Sequence, residues 1–387
     1  MCPHPQSALS DGAEHGRAIS MSADRPAVRV LTTISTIKAG ALKICRLNRN
    51  TLAVFVLLMF TVLLSACKDK PLPELMLDGE AMGTTWQVTL ATANNPDTAS
   101  LKKEIDALLV SLNTQMSTYN DESALSSFNA DVSTGWVDMP EPVVSLVNAA
   151  RRVSKATQGA FDITMGSVVD LWGFGADDIP ENEPTLDVIL DEMNSVGYQL
   201  LLVSRDETQV RKTVPGLKVD LSSIAKGYAV DRVGELLEGQ GLNRYIVEFG
   251  GEIRTRGKSA EHTPWTIGIE SPDPTVAAKG FLGIAVENAH IATSGDYRNY
   301  REVDGKRVSH LIDGRTGYPI ENNVASVTVL HGTTEQADAW ATAFMVLGAD
   351  ESLARAEDDG LAVSLTVREG NGFVTRNSSA FSAYVRQ

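Results

Sequence analysis

No cysteine follows Cys67, and only Cys2 and Cys45 precede it. Beyond Cys67 there is thus no disulfide framework and no Cys-based zinc site, whatever the redox compartment. Histidine is scarce, with six in 387 residues. Basic charge is short as well: 34 Lys and Arg face 49 Asp and Glu, a formal charge of −15. Residues 1–66 hold seven basic and three acidic residues, which leaves 27 against 46, or −19, for the rest. Nucleic-acid affinity comes largely from Lys and Arg on phosphates, so a nucleic-acid binder is close to excluded. The plain reading of −19 is a well-solvated surface. After Cys67 there is no fixed-period repeat, no Pro- or Gly-rich linker and no low-complexity tract. The apolar run Leu52–Leu64 has thirteen residues, short of the ~20 of a comfortable transmembrane helix. What is present is ordinary: 43% hydrophobic and 21% charged residues, near globular averages. At ~150 residues per domain, the length allows two or three domains.

Leu52–Leu64 follows Arg46 and Arg49 and is followed by Leu64-Ser65-Ala66-Cys67. A basic flank, a short apolar core and a small-residue cleavage site make a secretory signal over 46–66. Its L-S-A-C ending resembles the bacterial lipobox, in which the cysteine is diacylated and becomes residue one. An uncleaved anchor with an incidental cysteine is the alternative. Residues 1–45 are polar and aperiodic, either a start placed too far upstream or an unstructured leader. Residues 67–74 read as a tether, and 75–387 as one intertwined catalytic domain.

Strand character covers Leu75–Leu90. Leu101, Ile105, Leu108, Leu109, Leu112 and Met116 recur at helical spacing over about Thr98–Thr118. Further helices are expected around Val143–Val153, at Leu186–Val196, at Ser222–Glu238 and at Thr334–Leu347. Strands are expected at Gln199–Ser204, Val210–Val214, Leu217–Leu221, Tyr245–Phe249, Trp265–Glu270, Leu282–Val286, Ile291–Ser294 and Val324–Leu330. Tyr300–Val303 and Arg307–Ile312 flank Asp304-Gly305, a hairpin signal. The end reads helix, strand, strand. Clustered strands argue for an α+β class over a doubly wound sheet.

Five constellations bear on chemistry. Gly159-Ala160-Phe161-Asp162-Ile163-Thr164 with Leu171-Trp172-Gly173-Phe174-Gly175 fits a loop packed on a flat ligand, or an ordinary turn with buried aromatics. Asp220-Leu221-Ser222-Ser223-Ile224-Ala225-Lys226-Gly227-Tyr228 opens a helix; free N–H groups and Lys226 would suit a phosphate, and an Asp/Ser N-cap explains it equally well. It is not a P-loop, since G-x-x-x-x-G-K-[ST] is absent. Phe249-Gly250-Gly251-Glu252 permits close backbone approach to a ligand, or is a tight turn. His310 ends a strand before the Gly-rich Ile312–Gly317 loop and suits a general base, although a lone histidine is more often structural. Asp338 and Thr342, four apart, share a helix face. Carboxylate plus hydroxyl suits Mg²⁺ over Zn²⁺, or is a plain surface pair.

Together and in this order, these segments closely resemble the ApbE family of FAD:protein FMN transferases, once called thiamine-biosynthesis lipoproteins. The resemblance runs from Leu75 to the carboxyl end. It includes Met82-Gly83-Thr84, Met116-Ser117-Thr118-Tyr119, Gly159–Gly175, Asp220–Asp231, Glu248–Gly251, Ala292–Gly295, His310–Gly317 and Ala337–Gly348. It implies an α+β, T-fold-related architecture. It also implies a Mg²⁺-dependent enzyme that moves FMN from FAD onto a threonine hydroxyl of a target protein and releases AMP. By resemblance, Met82, Tyr119, Ala160, Phe161, Asp162, Asp220, Lys226 and Ile312 hold FAD. Ser223, through its carbonyl, Asp338 and Thr342 match the Mg²⁺ ligands, and His310 matches the residue that activates the acceptor threonine. Gly314 stands where proline is usual, implying a looser loop; Ser127 replaces a frequent arginine, Ala341 an aspartate of some members, and Lys226 a glutamate of others. The acceptors implied are subunits of the sodium-pumping NADH:quinone reductase or the Rnf complex. The expected location is the periplasmic face of the inner membrane, lipid-anchored at Cys67. A Mg²⁺-dependent FAD pyrophosphatase and a non-catalytic flavin-binding lipoprotein are the alternatives.

Overall fold

Alternation of apolar and polar residues builds the first hairpin. Strands β1 (Glu74–Ala81) and β2 (Thr84–Ala91) pair antiparallel, with Trp86, Val88 and Leu90 buried on one face. They are joined by Met82-Gly83, both left-handed at φ 46° and 77°, the two-residue turn whose twist matches a hairpin. The structure, a computed structural model, describes residues 70–176, 179–180, 182–269, 282–296, 300–303 and 306–385. The signal segment, Cys67 and the Asp304-Gly305 turn therefore lie outside the described residues. Leu72, in the expected tether, already donates its N–H to Ala260 O.

Then come α1 (Thr98–Met116), α2 (Ala124–Ala130), β3 (Val137–Asp138), α3 (Glu141–Ala156), α4 (Gly166–Leu171) and α5 (Leu186–Met193). A single 3₁₀ turn leads to β4 (Leu201–Val203), β5 (Gln209–Lys212) and α6 (Ala225–Gly239). Strands β6 (Tyr245–Phe249), β7 (Glu252–Arg256), β8 (Trp265–Ile269), β9 (Leu282–Val286) and β10 (Ala289–Gly295) precede β11 (Tyr300–Val303), β12 (Lys306–Ser309), β13 (Ile312–Asp313) and β14 (Tyr318–Pro319). The chain closes with β15 (Val324–His331), α7 (Thr334–Leu347), α8 (Ala349–Asp359), β16 (Ala362–Glu369), β17 (Gly372–Asn377) and α9 (Ser379–Ser382).

Eight strands form one sheet in the order β1-β2-β6-β7-β10-β15-β16-β17, every neighbour antiparallel. One face joins the main core: Tyr245, Val247, Phe249, Val327 and Val329 pack with the apolar faces of α1, α3, α6 and α7. The alternate residues Ile246, Ile291 and Leu330 point the other way and join Trp265, Ile267, Ile284 and Phe381. Both faces of β15 are covered, so VASVTVL is buried throughout. The antiparallel sheet with helices massed on one face is the expected α+β architecture.

Two expectations are corrected. Leu217–Leu221 forms no strand, only a single bridge between Lys218 and Met165. The Asn129 amide replaces a strand partner there: it donates to Val219 O and accepts from Val219 N–H, each at 2.8 Å. The helix expected from Ser222 starts at Ala225, because the Asp220 carboxylate accepts the Ser222 N–H at 2.8 Å and holds a turn.

Helices α6 and α7 cross closely. A Cβ on Gly227 would collide with Thr334 O, so only glycine allows this approach. Asp231 of α6 is buried and accepts the N–H groups of Thr334 and Glu335 at 2.7 and 3.1 Å, tying down the start of α7. The helix that carries Asp338 is thereby fixed on the one that carries Lys226.

Candidate active site

Several loops and strand ends open into one cavity of about 650 Å³, within the usual range for ligand sites. Its lining includes Tyr119, Ala160, Phe161, Asp162, Asp220, Ser223, Lys226, His310, Ile312, Asp338 and Thr342. Every residue singled out above for FAD, metal or catalysis is there except Met82. Met82 occupies the left-handed position of the β1–β2 turn, rests against the main core and lines a separate groove of about 430 Å³. Thr84, beside that turn, lies close to Gly250 in the cavity wall.

The aromatic loop and the histidine loop are knitted together across the cavity. Gly314 N–H donates to Ala160 O at 3.1 Å, and Trp172 Nε1 donates to Gly317 O at 2.9 Å. The Phe174 ring stands edge-on to His310 with centroids 6.4 Å apart, and the Tyr119 hydroxyl donates to Phe174 O at 3.1 Å. The expectation of a looser loop at Gly314 is thus overturned. Its N–H is a tie that proline lacks, and a Cβ there would collide with Gly159 O. Arg301 donates to Trp172 O and Pro180 O at 2.6 and 3.0 Å, holding the far end of the aromatic loop.

The Asp162 carboxylate is engaged within its own neighbourhood. It accepts from Thr164 N–H and hydroxyl at 2.9 and 2.8 Å and from Tyr198 N–H at 2.7 Å. Burial pushes its carboxyl above the ordinary range, with those donors opposing. Asp220 is likewise raised by burial, against the hydrogen bonds from Ser222.

The polar end of the cavity is built on α6, β7 and α7. Lys226 Nζ lies 2.8 Å from Glu252 Oε1 and 3.8 Å from Asp338 Oδ1. Asp338 Oδ2 accepts Gly227 N–H at 3.0 Å. Glu252 and Asp338 are 1% and 2% exposed, which makes their partners decisive. Burial raises both carboxyls, and the ammonium opposes the rise in each. Burial also works against the ammonium, but Asp338 and Glu252 outweigh it and hold Lys226 above an ordinary lysine. Thr342 Oγ1 lies 3.3 Å from Ser294 Oγ, a second hydroxyl on the same wall. Among the described residues, no three His, Cys, Asp or Glu side chains gather as a metal cluster.

Glu252, Ser294 and Arg301 also line the cavity, although only the segments holding Glu252 and Ser294, and no role for any of the three, are marked in the sequence. Glu252 was visible only as the residue after Gly250-Gly251. Its burial against Lys226 depends on a strand and a helix far apart in sequence.

Similarity to known proteins agrees with this geometry. The family model described as the ApbE family matches residues 82–365. An FAD:protein FMN transferase of Haemophilus influenzae is 42% identical over 323 residues, 82% of this chain and 93% of its own. The structure of the flavin transferase ApbE from Vibrio cholerae superposes with a TM-score of 0.75 at 39% identity, over 81% of this chain and all of that one. The apo form of the Pseudomonas stutzeri flavinyl transferase ApbE gives 0.74 at 37% identity, over 81% and 97%. A family match over most of the length, and relatives aligned nearly end to end, establish that the chain belongs to the ApbE family.

Proposed function

We infer that this chain is a flavin transferase that takes FAD and moves its FMN half onto a threonine hydroxyl of another protein, releasing AMP. The observation that carries this is the convergence of aromatic loop, buried Lys/Asp/Glu group and His310 on one cavity. Relatives named FAD:protein FMN transferase support the same activity.

Oxygen donors in the cavity fit a hard divalent cation: the Asp338 carboxylate, the Thr342 hydroxyl and, by family resemblance, the Ser223 carbonyl. The lining carries four acidic side chains, Asp162, Asp220, Glu252 and Asp338, against Lys226 and Arg301. A pyrophosphate beside them adds negative charge, which favours a bound cation. Mg²⁺, when bound, neutralises charge on the pyrophosphate and on the departing phosphate. Tyr119, Phe161 and Ile312 provide apolar surface for the flavin or adenine rings. His310 accepts the proton of the threonine hydroxyl. The threonine oxygen bonds to the flavin-side phosphorus, the bridging P–O bond breaks, and AMP leaves with that electron pair.

Incubation of the purified protein with FAD and Mg²⁺ tests this. AMP should appear only when an acceptor fragment is added. AMP and free FMN without acceptor would instead mark a pyrophosphatase, and tight FAD binding with no AMP in either case a flavin-binding protein.

Lipid attachment at Cys67 is supported by the L-S-A-C sequence after a short apolar run, and a place on the periplasmic face of the inner membrane by where the proposed acceptors sit. Among the described residues, no helix is long and apolar enough to cross a membrane. One acyl chain anchors only marginally and two anchor stably. The Cys67→Ser chain should therefore lose lipid labelling and membrane fractionation, and retained labelling would refute the assignment. Flavinylated subunits of the sodium-pumping NADH:quinone reductase or of the Rnf complex are the proposed acceptors.

A further inference from the structure

We infer that Glu252 is a positioning residue: it holds the Lys226 ammonium off Asp338 and so keeps the Asp338 carboxylate open to a divalent cation. This rests on the assignment of Asp338 as a metal ligand. Lys226 stands between two buried carboxylates and sits unequally, 2.8 Å from Glu252 and 3.8 Å from Asp338. The longer distance is outside hydrogen-bond range. Attraction rises as separation falls, so the nearer carboxylate retains the ammonium.

Glu252 is placed for that task. It begins β7 directly after Gly250 and Gly251, both left-handed at φ 65° and 113°, a sharp turn that delivers the side chain beneath α6. One carboxylate oxygen meets Lys226, and the other, Oε2, is buried with no hydrogen-bond partner. A buried carboxylate with an unmet oxygen is costly, and among the described residues Lys226 is the ion-pair partner of Glu252. On the Asp338 side, Oδ2 is held by Gly227 N–H, which leaves Oδ1 toward Lys226. Among the described residues, Glu252 and Asp338 are the carboxylates within ion-pair distance of Lys226, so without the Glu252 charge the ammonium is left with Asp338. It would close on Oδ1, neutralise Asp338 and compete with the cation.

Titration of Mg²⁺ into FAD-loaded protein, read by flavin fluorescence, tests this without turnover. Glu252→Gln should raise the Mg²⁺ midpoint at least about tenfold, the effect of removing a partner that orients a metal ligand. Because Lys226 is itself among the FAD contacts implied by resemblance, each variant is first titrated with FAD and loaded to saturation; Lys226→Gln so loaded should not raise the Mg²⁺ midpoint. The double variant Lys226→Gln/Glu252→Gln has no competing ammonium, and its midpoint should return to near that of the wild type. A Glu252→Gln midpoint equal to wild type, or a double variant as weak as Glu252→Gln alone, would overturn the inference. If wild-type protein shows no Mg²⁺ response, the assignment of Asp338 as a metal ligand fails first, and the inference with it.

Discussion

Replacing Asp338 by Asn should slow flavin transfer about 10³-fold while the protein stays folded. Asparagine keeps the volume of the side chain, and its carbonyl can still accept the Gly227 N–H that Asp338 Oδ2 accepts at 3.0 Å. What is lost is the charge proposed to hold Mg²⁺ against the pyrophosphate. A bound metal supplies several kcal/mol of charge stabilisation in the transition state, and about 4 kcal/mol corresponds to three decades in rate. Lys226 keeps Glu252 as a partner 2.8 Å away, so the variant buries no isolated ammonium and its unfolding midpoint should move little. FAD should still bind through the ring contacts, more weakly. A folded Asp338→Asn protein that transfers FMN at the wild-type rate, or one whose rate ignores a chelator, would remove Asp338 from the mechanism.

His310→Ala should cost between about 10² and 10⁴ in rate, the range for a lost general base. The histidine is held where two loops meet, edge-on to Phe174, and it lines the cavity with Asp338 and Thr342. A purely structural histidine would show itself differently. Its loss would lower the melting temperature and leave the rate per folded molecule nearly unchanged. Measuring melting temperature, FAD affinity and transfer rate on one preparation separates the two cases. Near wild-type transfer by a folded, FAD-binding His310→Ala protein would exclude the histidine from proton transfer.

Local signals were enough for several elements. Helix α7 runs over Thr334–Leu347 as its pattern indicates, because Thr333 caps its start and Gly348, at φ 81°, stops it. The pattern over Leu75–Leu90 indicates strand, and the structure folds that stretch into the β1–β2 hairpin at Met82-Gly83. Elements that depend on distant partners were not legible. Leu217–Leu221 has the composition of a strand, yet Asn129 takes the place of a neighbour and no ladder forms. Asp220 looked like a helix cap, and its carboxylate holds a turn three residues short of the helix.

The site divides in the same way. Residue types and order pointed to the cavity, since motifs as far apart as Tyr119 and Thr342 line it together. What each side chain does there was less visible. Asp162 is engaged by Thr164 and Tyr198, a fact set by a loop 36 residues further on. Lys226 could be read as a phosphate contact from its place at a helix start, but its pairing with Glu252 requires the α6–β7 juxtaposition. Glycine in place of proline at 314 suggests slack in the sequence, whereas in the fold its amide is one of the ties that hold that loop.

A cavity that binds FAD and passes its FMN half to a protein hydroxyl leaves a covalent mark on the acceptor. Mass spectrometry of an acceptor fragment after incubation with the protein, FAD and Mg²⁺ tests it most directly. A single threonine should carry FMN through a phosphoester bond, with one AMP released per modified threonine. An unmodified acceptor beside free FMN and AMP would contradict it.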